Sequence, residues 1–94
     1  MRITNVVWLP SVIDKLEWKH QVTTREVEQV FANAPRFKFA ERGQHQGENV
    51  YVAFGQTDGG RYLAVWFIYK LTQEALVLSA REIDAKERKS YGKK

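Results

Sequence analysis

The spacing of hydrophobic positions changes period part-way along the chain. Residues 3–9 are rich in β-branched and aromatic side chains and run into Pro10, which has no N–H to give a ladder, so a short opening strand is expected there. Ser11 then stands as a cap for a helix carrying Val12, Ile13 and Leu16 and ending near His20. Thr23 with Glu26 three residues on writes a capping box, and Val27, Val30 and Phe31 recur at helical spacing until Asn33 and Pro35 stop the run. From Phe37 onward the period falls to about two, which predicts strands at 36–41, 50–54, 61–70 and 75–81. The turns between them, at 42–47, 55–60 and 71–74, are short enough for an antiparallel meander. Every position from Tyr62 to Tyr69 is apolar, which places that strand at the centre of the sheet. Residues 83–91 read as a charged helix with Ile83, Glu87 and Tyr91 on one face at steps of four. The expected class is α+β: two short N-terminal helices, an antiparallel twisted sheet of four to five strands, and a C-terminal helix.

Length and composition narrow the picture. A chain of 94 residues is below the usual size for two domains, so one domain over residues 1–94 with one core is expected. Its stability should be modest and open to reinforcement by a partner. Hydrophobic residues at 44% and aromatics at 13% argue against disorder. The absence of cysteine excludes a disulfide framework and any thiolate metal site, and fits a reducing cytoplasm. Met1 to Asn5 lacks a signal peptide's apolar run, and no stretch reaches the roughly 18 apolar residues of a membrane span, so a cytoplasmic protein without membrane contact is expected. With two histidines far apart and no tight His/Asp/Glu cluster, no metal site is expected. No phosphate loop, dinucleotide fingerprint or nucleophile elbow calls for a cofactor.

Fifteen Lys and Arg against eleven Asp and Glu give a formal charge of +4, which favours a polyanionic ligand. Simple alternation puts Leu76, Leu78 and Ala80 on one face of their strand and Val77, Ser79 and Arg81 on the other. By the same count Arg61 shares a face with Leu63, Val65 and Phe67. A hairpin of the two strands would bring Arg61 and Arg81 to one end, where two guanidiniums make a bidentate phosphate site. The competing assignment for Arg81 is a surface ion pair with Glu82, Asp84 or Glu87.

Cleaving RNA without a metal requires the 2′-hydroxyl to lose a proton, the leaving 5′-oxygen to gain one, and the phosphorane's charge to be neutralised. Glu87 or His20 is a candidate base, Tyr91, His20 or Lys19 a candidate acid, and Arg61 and Arg81 candidate phosphate holders. His20, ending a helix, equally suits a capping role. His45 in its Gly-bounded loop reads as a solvated turn residue. Among the tryptophans, Trp66 reads as core and Trp18 as the exposed stacking candidate. Lys86, Arg88, Lys89, Lys93 and Lys94 form a basic tail suited to an RNA backbone or to a solvated helix face.

Taken together, Lys19-His20-Gln21-Val22, Val30-Phe31, Gly55 with Asp58-Gly59-Gly60-Arg61-Tyr62-Leu63, Ser79-Ala80-Arg81, and Glu87-Arg88-Lys89 with Tyr91 resemble the BrnT family. The likeness runs from Trp8 to Tyr91. It implies a RelE-like fold and a type II toxin whose ribonuclease activity arrests translation. It also implies a cognate ribbon-helix-helix antitoxin in a 2:2 complex, with DNA contacted only through that antitoxin. Under the resemblance Arg61 and Arg81 take the catalytic-arginine role, Glu87 and Tyr91 take places beside them, and Lys19 and His20 match the family's Lys-His step. Arg88 and Lys89 are carried as RNA-binding residues.

Three positions depart from the family pattern. Leu9-Pro10 stands where the opening Trp is usually followed by Asp, Gln21 replaces the Gly after Lys-His, and Val50 replaces a common basic residue. Gln reaches positive φ less cheaply than Gly, so a different turn between the helices is expected. Loss of the charge at Val50 and the altered turn between the helices motivate the alternative, a catalytically degenerate module that only binds its antitoxin and takes part in DNA-linked autoregulation.

Overall fold

The computed structural model describes the backbone of residues 1–92 and the side chains of residues 1–89. Pro10 opens α1 (Pro10–His20) directly after β1 (Asn5–Val7). Its fixed φ suits the first helical position, where an N–H would lack a partner anyway. Leu9, not Ser11, is the N-cap: its carbonyl accepts from the N–H groups of Val12 and Ile13 at 2.9 and 3.1 Å, and no side chain caps this end. The capping box of α2 (Thr24–Ala32) forms as its residues predict. The Glu26 N–H donates to Thr23 Oγ1 and the Thr23 N–H donates to Glu26 Oε1, both at 3.1 Å, an arrangement worth about 1 kcal/mol.

Strands β2 (Arg36–Glu41), β3 (Val50–Gln56), β4 (Tyr62–Tyr69) and β5 (Glu74–Glu82) form the expected antiparallel meander. The fifth strand, β1, pairs with β5 in parallel, so the sheet is mixed, in the order β1-β5-β4-β3-β2. The chain leaves β1 through both helices to the far edge, and the meander then returns to lie beside it. α3 (Ala85–Gly92) follows β5.

One irregularity decides which side chains share a face. Trp66 pairs with Ser79, but the next pair is Phe67 with Val77, which leaves Leu78 as an extra residue in β5. Simple alternation would separate Val77 from Ala80; with the bulge, both are fully buried in one core. The expected partition of β5 is corrected accordingly, and Arg81, paired with Ala64, lies on the face of Ala64 rather than that of Val77.

On the helix-covered face, Leu16, Val22, Val27 and Val30 pack against Leu63, Val65, Phe67, Val77 and Ala80. The Phe67 ring is met edge-on by Phe31 at 5.2 Å and Phe37 at 6.0 Å between centroids, and its burial contributes about 1.5–3 kcal/mol. The opposite face carries a smaller cluster of Val52, Ala64 and Ile83, against which Phe54, Tyr62 and Trp66 are only partly buried. Trp66 therefore sits on this open face and not, as its place in the central strand predicts, inside the main core. Among the described residues no helix is long and apolar enough to cross a membrane.

Candidate functional site

Arg61, just before β4, alternates onto the helix-covered face with Leu63. Its Nη1 donates to the Gln21 carbonyl at 2.7 Å and its Nη2 to the His20 carbonyl at 3.3 Å, acceptors that the end of α1 leaves without helical partners. Nη1 also reaches the Glu26 carboxylate at 3.1 Å, and Nε meets Glu82 Oε1 at 2.6 Å. The guanidinium thus ties the end of α1, the start of α2 and the end of β5 together. The Glu82 carboxylate, with Glu26 adding to it against burial, holds the Arg61 pKa above its usual value. For Glu26, burial pushes upward, but the Thr23 N–H and Arg61 outweigh it and leave the carboxyl below the usual glutamate value.

Arg81 stands at the same end of the β4–β5 hairpin but on the other face of the sheet. Its Nη1 and Nη2 donate to Glu87 Oε1 and Oε2 at 3.0 and 2.7 Å, a two-pronged pair, and Nη1 also reaches the Glu82 carbonyl at 3.3 Å. Its guanidinium carbon lies 5.5 Å from the Trp66 ring centre. Glu87 is itself fixed at the start of α3, accepting from the Asp84 N–H at 3.3 Å while its own N–H donates to Asp84 Oδ1 at 2.7 Å. The Arg81 guanidinium first, and the Asp84 N–H second, hold the Glu87 carboxyl below its usual pKa. The Arg81 side chain is 39% exposed.

The predicted convergence of Arg61 and Arg81 in one phosphate clamp is therefore corrected. The residue bulged at Leu78 flips Arg81 to the open face, while Arg61 stays beneath α1 and α2. His20 and Lys19 end α1 and so belong to the Arg61 side, where the His20 carbonyl accepts from Arg61 Nη2. Arg88 and Lys89 lie in α3 with Glu87. The side chain of Tyr91 lies outside the described residues. Trp18 is 83% exposed, as its place on α1 predicts, and Trp8 donates from Nε1 to Glu28 Oε2 at 3.2 Å.

Three further residues complete the open face. Arg36 pairs with Phe54 and Lys38 with Val52, so both cations share the face of Trp66 and Arg81. The alternation Arg36-Phe37-Lys38-Phe39 carries that signal in the sequence itself. Tyr62 is overlaid by the Arg88 guanidinium at 4.4 Å. A groove of about 640 Å³ runs here, lined among others by Arg36, Phe54, Tyr62 and Arg88. Cations interleaved with partly exposed aromatic rings suit a single-stranded nucleic acid, whose phosphates and base faces they match.

A family model described as the ribonuclease toxin BrnT of type II toxin-antitoxin systems matches residues 13–87. That span contains Lys19, His20, Arg61, Arg81 and Glu87 and stops before Arg88. The crystal structure of the Brucella abortus ribonuclease toxin BrnT is similar, with a TM-score of 0.62 and 17% identity over 85% of this chain and 96% of that chain. At that identity the likeness concerns the fold. No curated protein sequence matches the chain. Since the family model covers most of the chain, the protein belongs to the BrnT family, the ribonuclease toxins of type II toxin-antitoxin systems.

Proposed function

We propose that the open face of the sheet is where this ribonuclease toxin cleaves RNA, by metal-independent attack of a 2′-hydroxyl with Arg81 at the scissile phosphate. The observation that carries this reading is the Arg81–Glu87 pair, set over Trp66 on the face that also presents Arg36, Lys38 and Arg88. In the reaction the 2′-oxygen gives its proton to water and bonds to phosphorus, the bond to the 5′-oxygen breaks, and that oxygen takes up a proton. Negative charge peaks on the phosphorane, where a guanidinium fixed in advance stabilises it most. Glu87, held as a carboxylate by Arg81, orients that guanidinium rather than collecting the proton. Tyr91, four residues after Glu87, remains the candidate acid. Arg61 leaves the catalytic set and becomes a structural tie.

As a type II toxin the protein has an antitoxin partner. We assign that partner to the ribbon-helix-helix type, in a 2:2 complex in the cytoplasm that contacts DNA only through the antitoxin. The basic open face favours an acidic segment as its cover. The experiment is expression of the chain without its antitoxin, together with RNA cleavage by the purified protein in EDTA. Growth arrest and cleavage that vanish in Arg81→Ala are expected; full cleavage by a folded Arg81→Ala protein removes the site. Harmless expression with tight antitoxin binding would instead identify a toxin scaffold without catalysis.

A further inference from the structure

Asp58 sets a carboxylate among the cations of the open face, where it works against phosphate binding. It lines the same groove as Arg36, Phe54, Tyr62 and Arg88. Its position is fixed by two contacts: its N–H donates to Gln29 Oε1 at 3.0 Å, and its Oδ1 accepts from Asn33 Nδ2 at 2.9 Å. Asn33 is anchored in turn on the Gln56 carbonyl at 2.9 Å. The other carboxylate oxygen, Oδ2, has no hydrogen-bond partner among the described residues, which leaves an open acceptor on a side chain already held in place at the groove wall. The Tyr62 ring already carries a flat cation, the Arg88 guanidinium, on its face. Flat groups are what such a face accepts, and unstacked RNA bases are bound by stacking on aromatic rings while their Watson–Crick edges are read by hydrogen bonds.

We infer that this groove is a nucleobase subsite selecting guanine beside the phosphate held by Arg81, an inference that rests on the RNA-cleaving reading above. Guanine offers N1–H and N2–H side by side, two donors for one carboxylate. Adenine and cytosine set a single amino group beside a ring acceptor that the carboxylate repels, and uracil sets one N–H between two carbonyls. The base takes the place of the Arg88 guanidinium on the Tyr62 ring, its Watson–Crick edge meets Asp58, and Arg36 and the displaced Arg88 attend the flanking phosphates.

The test uses the full chain and 2′-deoxy tetranucleotides carrying one guanine or one adenine among thymines. These lack the attacking hydroxyl and stay intact during an equilibrium binding measurement. Wild type should bind the guanine oligomer about tenfold tighter or more, the scale of a good two-bond base contact. Asp58→Asn should erase the difference, and Tyr62→Ala should weaken both oligomers. Equal affinities in wild type, or a guanine preference that survives in folded Asp58→Asn, overturn the inference. RNA cleavage without base preference would sink the subsite and leave the nuclease standing. Guanine selectivity without RNA cleavage would do the reverse.

Discussion

The Arg81 guanidinium and the Glu87 carboxylate face each other through two parallel bonds, Nη1 to Oε1 at 3.0 Å and Nη2 to Oε2 at 2.7 Å. That geometry fixes the plane of the guanidinium as well as its position, which a lysine could not reproduce. Arg81→Lys should therefore cleave RNA at least tenfold more slowly than wild type. Glu87→Gln, which keeps the shape but loses the charge, should lose about tenfold. The pH profile separates orientation from proton transfer. Because Arg81 holds the Glu87 carboxyl below its usual pKa, the pair is intact at neutral pH and breaks only as pH falls through that lowered value. Cleavage limited by the pair should stay level through neutrality and drop only in acid, and Glu87→Gln should lack that drop. An acid limb near neutrality in both proteins would point to a histidine base instead.

Arg61 predicts a different phenotype. Replacing it with Ala strips the partners from two carbonyls at the end of α1 and breaks pairs with Glu26 and Glu82. The carbonyl bonds dominate the loss, since ion pairs this accessible to water contribute little, and the total should be about 2 kcal/mol. For a chain of this size that lowers Tm on the order of 10 °C. Thermal denaturation measures the loss, and cleavage per folded molecule measures the chemistry. If Arg61→Ala melted normally yet cleaved nothing, Arg61 would return to the reaction.

The divergence of the two arginines shows where sequence patterning stops. Local signals were legible: the Thr23–Glu26 box, the apolar run of β4 and the turns all act within a few residues, and the structure contains each of them. The meander followed from short connections. The parallel pairing of β1 depends instead on contacts some 69 residues apart along the chain, as between Asn5 and Glu74, which no local period encodes. The bulge at Leu78 is equally silent, because Leu is an ordinary strand residue; only burial of both Val77 and Ala80 against the helices selects the shifted register. One extra residue then turned Arg81 to the opposite face.

Gln21 occupies a left-handed conformation, φ 51° and ψ 43°, at the end of α1. Its side chain recovers some of the strain by donating from Nε2 to the Trp18 carbonyl at 3.1 Å, but that bond is exposed to water and weak. A non-glycine residue in this region costs about 1 kcal/mol or more. Gln21→Gly should therefore stabilise the protein by about 1 kcal/mol, raising Tm by roughly 5 °C. An unchanged or lower Tm would mean that the Gln21 side chain matters more to the turn than its backbone strain.

Glu26 links stability to acid. Its folded pKa lies below the unfolded value, so its contribution is complete above the unfolded pKa and fades as pH falls through the folded one. Glu26→Gln should be less stable than wild type at neutral pH, and the two should converge at an acid pH below the lowered folded value. Urea denaturation midpoints at both pH values measure this. A stability gap of constant size would show that the packing of the side chain, not its charge, is what wild type gains.

Arg36 and Lys38 present their charge on the open face without a recorded ion pair among the described residues, so their expected role is to neutralise RNA phosphates. Each phosphate neutralised on a single strand steepens the fall of log affinity against log salt by about 0.7. Replacing both with Gln should therefore flatten that slope by about 1.4, while weakening binding alike for oligomers of any sequence. Their alternation with Phe37 and Phe39, which face the helix side, makes the replacement tolerable to the fold, since neither cation enters a core. An unchanged slope in the folded double variant would place the RNA elsewhere, off the β2 side of the sheet.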